Sequence, residues 1–139
     1  LFYKYKVQGG DFSKAGFASS EVKKILKKLN IDYNLIKRVV VCMYEAEVNI
    51  VAHAFNGIIY VTINKESIFL RFFDDGPGIE NVNKAMEEGF STASPKVREM
   101  GFGAGMGLPN IKRNSDELIV LSSVGNGTIV DIFFNINNI

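Results

Sequence analysis

Three clusters of residues in this sequence have the types and spacing to do chemistry. The first is Glu45-Ala-Glu-Val-Asn49. On a helix, residues four apart stack on one face, so Glu45 and Asn49 share a row that His53 continues. A carboxylate above a carboxamide suits Mg²⁺, which takes oxygen ligands and keeps several waters. The carboxylate can equally orient or deprotonate a nucleophile. The second cluster is Asp74-Asp-Gly76-Pro-Gly78-Ile79. Its alternate glycines allow a tight turn and the close approach of a flat ligand to the backbone. A carboxylate there can accept a hydrogen bond from an exocyclic amine. The third is Gly101-Phe-Gly103-Ala-Gly105-Met106-Gly107-Leu108-Pro-Asn110. Glycines at every second position free successive N–H groups to face an anion, and a helix start adds its dipole. Each cluster also has a plain structural reading: a polar helix edge with a half-buried histidine, a common Asp-Gly and Pro-Gly turn, and a flexible hinge.

These clusters need elements to position them. Residues 2–8 alternate apolar and polar and predict a strand. After Gly9-Gly10, Asp11 or Ser13 is expected to cap a helix running to about residue 29. Its lysines 23, 24, 27 and 28 lie away from the apolar stripe and read as a solvated face, with a docking patch for an acidic partner as the other reading. Asp32 is placed to cap a longer helix over about residues 33–55, with Ile36, Val39, Val40, Met43, Ala46 and Ile50 as its stripe and a left-handed end at Asn56-Gly57. Strands are predicted at 58–63 and 67–73 around a turn at residues 64–66, and a short helix near 80–88. Residues 89–106 form a long polar and glycine-rich segment, of a length that is usually functional or mobile in a small domain. A helix over about 108–115 and strands at 117–123 and 128–135, joined at Gly125-Asn-Gly127, complete the pattern. The mixture of hairpins and helices predicts an α+β two-layer sandwich: one mixed, mostly antiparallel sheet with helices on one face. A doubly wound parallel sheet would alternate strand and helix throughout, and this chain does not.

Composition narrows the field. The chain has 139 residues, the length of one domain, and 47% hydrophobic residues, enough for a buried core. Sixteen Lys and Arg against 15 Asp and Glu leave a net charge of +1, which gives no support for nucleic-acid binding. The single cysteine, Cys42, excludes an intrachain disulfide framework and favours a reducing compartment. No apolar run is long enough to span a membrane, and the first residues lack the apolar stretch of a signal peptide, so a cytoplasmic location is expected. Thirteen glycines are present, and seven of them fall between Gly76 and Gly107, where the second and third clusters lie. The third cluster is not a Walker A loop, since no Gly-Lys-Ser/Thr follows, and no strand directly precedes it as a dinucleotide fingerprint requires.

Taken together, the order and spacing carry more than each cluster alone. Glu45 and Asn49 on a helix, Asp-x-Gly-x-Gly after a strand, a glycine-rich run into a helix, and Gly127-Thr128 in a late hairpin resemble the N, G1, G2 and G3 boxes of the GHKL, or Bergerat-fold, ATPases. That superfamily includes DNA gyrase, mismatch-repair MutL, heat-shock chaperones and histidine-kinase catalytic domains. The motifs span residues 45–128. Glu-Ala-x-x-Asn49, Asp-x-Gly-Pro-Gly-Ile79 and Gly-Met-Gly-Leu-Pro-Asn-Ile-Lys-Arg113 resemble more narrowly the RsbT/RsbW anti-sigma-factor serine kinases, with the last phrase closer to the RsbT branch.

The resemblance implies one domain over residues 1–139 that binds ATP with Mg²⁺. It implies that Asn49 holds the Mg²⁺ and that Glu45 is the general base or orienter for the attacking hydroxyl. Asp74 accepts from the adenine amino group, with Gly76, Gly78 and Ile79 shaping the pocket. Gly103, Gly105, Met106, Gly107 and Leu108 line the phosphates, and Thr128 adds a polar contact near adenine. Residues 89–106 become an ATP lid in which Lys96 or Arg98 reaches the γ-phosphate. It also implies a bacterial partner-switching role: phosphorylation of a serine on a STAS-domain antagonist, a sigma factor or other regulator as a further partner, and a homodimer as an expected state. Two other functions fit the same motifs. One is a nucleotide-gated, non-catalytic binding module; the other is the catalytic ATP-binding domain of a histidine kinase.

Overall fold

The computed structural model describes residues 1–87 and 107–136. Five strands, β1 (Phe2–Gln8), β2 (Asn56–Ile63), β3 (Ser67–Asp74), β4 (Glu117–Ser122) and β5 (Thr128–Asn135), form one sheet in the order β1-β2-β3-β5-β4. Every pairing among the described strands is antiparallel, so the sheet contains no parallel pair and is antiparallel rather than mixed. The reason lies in the connections: β2–β3 and β4–β5 are hairpins, and the helical excursion before β2 returns the chain beside β1 in the opposite direction. Helices α1 (Phe17–Lys28), α2 (Tyr33–His53), α3 (Val82–Ala85) and α4 (Gly107–Asn114) complete the described elements.

The core lies between the sheet and the helices. Strand alternation sends Ile59, Val61, Ile63, Ile68, Leu70, Phe72, Val130, Ile132 and Phe134 to one face, all buried. Against them pack Val22 and Leu26 of α1, Ile36, Val39, Met43, Ala46 and Ile50 of α2, and Leu108 and Ile111 of α4. The α2 stripe is as expected, except that Val40 is only partly buried and Cys42 and Val51 are buried as well. With neighbours on more than one side, α2 is the central helix.

The ends of the elements show what positions them. Asp32 caps α2 as expected, its carboxylate accepting from the N–H groups of Asn34 and Leu35 at 3.1 and 3.3 Å. A cap of this kind contributes about 1 kcal/mol. The start of α1 differs from expectation. Neither Asp11 nor Ser13 caps it; residues Phe12–Lys14 form a short 3-10 turn, and Ser13 donates to Asp11. Gly16, at φ 93°, turns the chain before Phe17. The free N–H groups of the new helix are met from far along the chain by Glu47 of α2, which accepts from Ala18 N and Ser19 N at 3.1 Å each and from Ser19 Oγ at 2.6 Å. Lys23, Lys24, Lys27 and Lys28 are all exposed, which fits the solvated-face reading.

The end of α2 also departs from expectation. The helix stops at His53, Ala54 is extended, and Asn56 and Gly57 already belong to β2. The cause is Asp75, whose carboxylate accepts from Phe55 N at 3.1 Å and Asn56 N at 2.7 Å. Those N–H groups find an acceptor outside the helix, so no left-handed cap forms.

Candidate functional site

The row Glu45, Asn49 and His53 runs along α2 and meets a different neighbour at each turn. At the C-terminal end, the His53 carbonyl lies against Gly76: a Cβ added there would come within 3.0 Å of it. One turn back, Asn49 faces the first residue of α4, and a Cβ at Gly107 would sit 3.2 Å from both its amide oxygen and nitrogen. Another turn back, Glu45 comes near the Asn110 side chain, which favours its ionised form. Further on, the Cys42 thiol contacts the Ile111 carbonyl at 3.6 Å, and Arg38 donates to the Asn114 carbonyl at 2.9 Å and to Asp116 at 2.9 Å. Helices α2 and α4 therefore run antiparallel in contact, and α4 is clamped at its C-terminal end by Arg38. Its N-terminal end, whose first N–H groups have no partner within the helix, faces the Asn49 turn. Pro109 sits in that first turn, where a missing N–H breaks no helical hydrogen bond.

Beyond the end of α2 lies the turn that follows β3. Asp74 Oδ1 accepts from Gly76 N at 2.8 Å, folding the carboxylate back over the turn. Gly78 has φ 82°, and a Cβ there would come within 2.0 Å of the Ser123 carbonyl. Gly127 has φ 75°, and a Cβ there would come within 2.1 Å of the Asp74 carbonyl. Both positions need glycine, for conformation and for space. The two turns are knitted by Ser122, whose Oγ accepts from Ile79 N at 2.7 Å and donates to the Gly127 carbonyl at 2.9 Å. Because that uses the one hydroxyl proton of Ser122, Thr128 is the donor in their 2.7 Å contact. Gly125 N adds a bond to the Pro77 carbonyl at 2.8 Å. Asp74, Ile79 and Thr128 are thus brought together at one end of β3 and β5.

Electrostatics separate the acidic groups. Burial raises the carboxyl of Asp74 above its ordinary value, partly offset by the N–H donors of Gly76 and Thr128. Burial likewise raises Glu45, offset by the nearby Asn110 side chain. Asp75 moves the other way, held low chiefly by the Asn56 N–H. Burial lowers His53, keeping its imidazole neutral. Cys42 is pushed up to about 12 by burial, so its thiol is unreactive.

Of the expected site residues, Glu45, Asn49, Asp74, Gly76, Gly78, Ile79, Gly107, Leu108 and Thr128 are described, and they fall on two contiguous stretches: the α2–α4 contact and the interlocked turns. The Leu108 side chain is buried in the core, so only its backbone is available to a ligand. Gly103, Gly105, Met106, the 89–106 segment, Lys96 and Arg98 lie outside the described residues. Sequence reasoning did not assign Ser122 or the approach of Asn110 to Glu45. Ser122 had no signal, being one polar residue at a strand end; Asn110 stood in the third cluster, but only folding shows which helix it faces.

The donor set fits Mg²⁺. No group of three or more His, Cys, Asp or Glu suited to a metal occurs among the described residues. The Asn49 side chain has no hydrogen-bond partner among the described residues, and the absence of a side chain at Gly107 leaves room beside its amide. A hard cation held by one amide oxygen, with substrate phosphates and waters as its other ligands, needs no acidic cage.

An antiparallel sheet under helices, with the first turn of α4 facing an Asn and a half-buried Asp beside interlocked glycine turns, defines an α+β sandwich. The pattern of the histidine kinase-like ATPase domain matches residues 14–134, and the chain belongs to that family. Among known proteins, the anti-sigma F factor of Caldanaerobacter subterraneus subsp. tengcongensis is 34% identical over 119 residues, covering 82% of this chain and 80% of that protein. The serine/threonine-protein kinase RsbT of Bacillus subtilis is 46% identical over 55 residues, a match that spans 40% of this chain and 35% of RsbT. In structure, the RsbU and RsbW domains of Rv1364c from Mycobacterium tuberculosis superpose with a TM-score of 0.65 at 10% identity, covering 99% of this chain and 33% of that one. The mycobacterial sensor histidine kinase MprB superposes with a TM-score of 0.57 at 15% identity over the full length of both chains. Likenesses at that identity establish the fold. Among the described residues, no helix is long and apolar enough to cross a membrane.

Proposed function

We propose that this chain is an ATP-dependent serine-protein kinase of a bacterial partner-switching system, phosphorylating a STAS-domain antagonist and engaging a sigma factor or other regulator. The observation that carries the proposal is the α2 row: Glu45 and Asn49, one turn apart, lie against the first turn of α4. In one place this supplies a proton acceptor, an oxygen ligand for a cation and a helix start for phosphate. Positioning and charge neutralisation do most of the work of phosphoryl transfer, so such a set can suffice.

In this reading Asp74 accepts from the adenine amino group, with Gly76, Gly78, Ile79 and Thr128 forming the pocket around it. The N–H groups of Gly107 and Leu108, with those of Gly103, Gly105 and Met106, receive the phosphates. Residues 89–106 form the lid over the nucleotide. Mg²⁺, when bound, neutralises phosphate charge. Glu45 accepts the proton of the incoming serine hydroxyl, and its raised carboxyl makes it a stronger base than an exposed glutamate. The 34% identity to an anti-sigma F factor over most of both chains supports the regulatory setting.

The test is transfer from labelled ATP onto small STAS proteins from the same operon. Wild-type protein is expected to phosphorylate one of them on serine. Glu45→Ala is expected to keep ATP affinity within about twofold and to lose transfer by about 100-fold or more, the usual worth of a general base. Unchanged transfer by Glu45→Ala would remove Glu45 as the base. Complex formation that depends on nucleotide, with no phosphate on the partner, would favour the binding-module reading.

A further inference from the structure

The helix-facing side of the sheet changes character at its last row. Cross-strand register sets Ile59, Phe72, Val130 and Val120 side by side, an apolar row. Two residues further along, the partners are Gly57, Asp74, Thr128 and Ser122. Side chains paired directly across neighbouring strands lie about 5 Å apart, so the three polar groups form one continuous edge. Ser122 at the end of that edge is saturated. Its Oγ accepts from Ile79 N at 2.7 Å and donates its own proton to the Gly127 carbonyl at 2.9 Å. Its other lone pair takes the Thr128 hydroxyl at 2.7 Å. Turning the Thr128 proton outward would leave two oxygens at that distance with no proton between them, unless Ser122 released the Gly127 carbonyl. Thr128 is only 7% exposed, and with its proton spent its Oγ1 can only accept. Among the described residues nothing donates to that oxygen, so it is where a donor from a ligand gains most. Asp74, its neighbour in the row, also has only acceptors when ionised, and its Oδ1 already holds Gly76 N at 2.8 Å.

We propose that Ser122 is a positioning residue that sets base selectivity: by holding the Thr128 proton, it makes the Asp74–Thr128 edge accept only, which selects an amino group over an oxo group on a purine. The proposal rests on the nucleotide-binding reading of Asp74 and Thr128. An aminopurine brings N–H groups to this edge. An oxopurine brings lone pairs, which meet a carboxylate and a hydroxyl with no proton to turn toward them. Without Ser122, the Thr128 hydroxyl is released to rotate and donate, and half of the edge then suits either base. The backbone keeps the row from shifting its pairing. Ser122 ties Ile79 N to the Gly127 carbonyl, Gly127 packs against the Asp74 carbonyl, and Gly78 packs against that of Ser123.

The test is calorimetric titration of ATP and of inosine triphosphate, in which an oxo group replaces the adenine amino group. Wild type, Ser122→Ala, Thr128→Val and Thr128→Ser would be compared. Both nucleotides read the same pocket, so their affinity ratio does not follow a loss of stability, which thermal unfolding records separately. Wild type is expected to prefer ATP by about 100-fold. Ser122→Ala frees the Thr128 proton and should narrow that ratio about tenfold. Thr128→Val removes the hydroxyl without supplying a donor, so it should narrow the ratio less, about threefold. Thr128→Ser keeps the hydroxyl and should hold the ratio within about twofold of wild type. An unchanged ratio in either Ser122→Ala or Thr128→Val, with ATP still bound, would reduce Ser122 to a tie between two turns and overturn the proposal, leaving the nucleotide-binding reading intact. A wild type that binds neither nucleotide would overturn that reading, and the proposal with it.

Discussion

Glu45 and Glu47 on α2, and Asp74 and Asp75 after β3, are two acidic pairs built on different backbones. On the helix, two residues of separation is about 200° of rotation, so the glutamates leave opposite sides. Glu47 is sealed under α1 with three donors, while Glu45 faces α4 and the site. In the turn, adjacent aspartates diverge because the strand ends between them. Asp75 gathers the N–H groups of Phe55 and Asn56, while Asp74 folds back over Gly76 beside Thr128. Each pair has one member that joins elements and one that faces the site. The difference lies in cost: the helix buries its joining member, and the turn leaves its joining member exposed.

The largest effect should come from breaking the helical pair. Glu47→Ala leaves Ala18 N, Ser19 N and Ser19 Oγ without their acceptor in the interior, a loss of about 3–5 kcal/mol by urea unfolding. Glu45→Ala should stay within about 1 kcal/mol of wild type in the same measurement. Similar losses in both would show that the helix does not divide the two roles. The turn pair should separate in binding. Asp74→Ala is expected to weaken ATP by about 100-fold in a calorimetric titration, the worth of a charged hydrogen bond. Asp75→Ala should hold affinity within about threefold and lower the urea midpoint at unchanged slope.

The smallest effect is also the sharpest in sign. Asp75 and Asp116 are held low in the fold, so their stabilisation is complete above their ordinary values and fades as pH falls through the folded ones. Asp74 and Glu45 are raised, so they favour the fold while protonated, and that contribution is lost as pH rises through their folded values. Thermal unfolding between about pH 3 and 7 should therefore show less acid sensitivity in Asp75→Asn, and a higher midpoint near neutrality in Asp74→Asn. Equal slopes for Asp74→Asn and Asp75→Asn would erase the contrast.

The sequence carried the strands and the central helix because their signals are local. Alternation placed β1, the Gly125–Gly127 turn placed β4 and β5, and Asp32 preceded the apolar stripe of α2 as a cap should. What it hid were decisions made at a distance. The start of α1 depends on Glu47, 28 residues beyond Ser19, and the end of α2 depends on Asp75, 19 residues beyond Asn56. For the same reason Glu47 was legible only as a neighbour of Glu45, and Ser122 not at all. The site motifs were legible because helix spacing and turn glycines are themselves local. The approach of Asn110 to Glu45 needed α4 folded onto α2.

The interlock of the two glycine turns has a consequence for how such a chain can drift. Gly78 is closed in by the Ser123 carbonyl, Gly127 by that of Asp74, and Ser122 ties the backbone of both turns. An insertion or a side chain accepted in one turn must be matched by a retreat in the other. Positions 76–79 and 122–128 should thus be inherited as a unit, varying jointly across descendants.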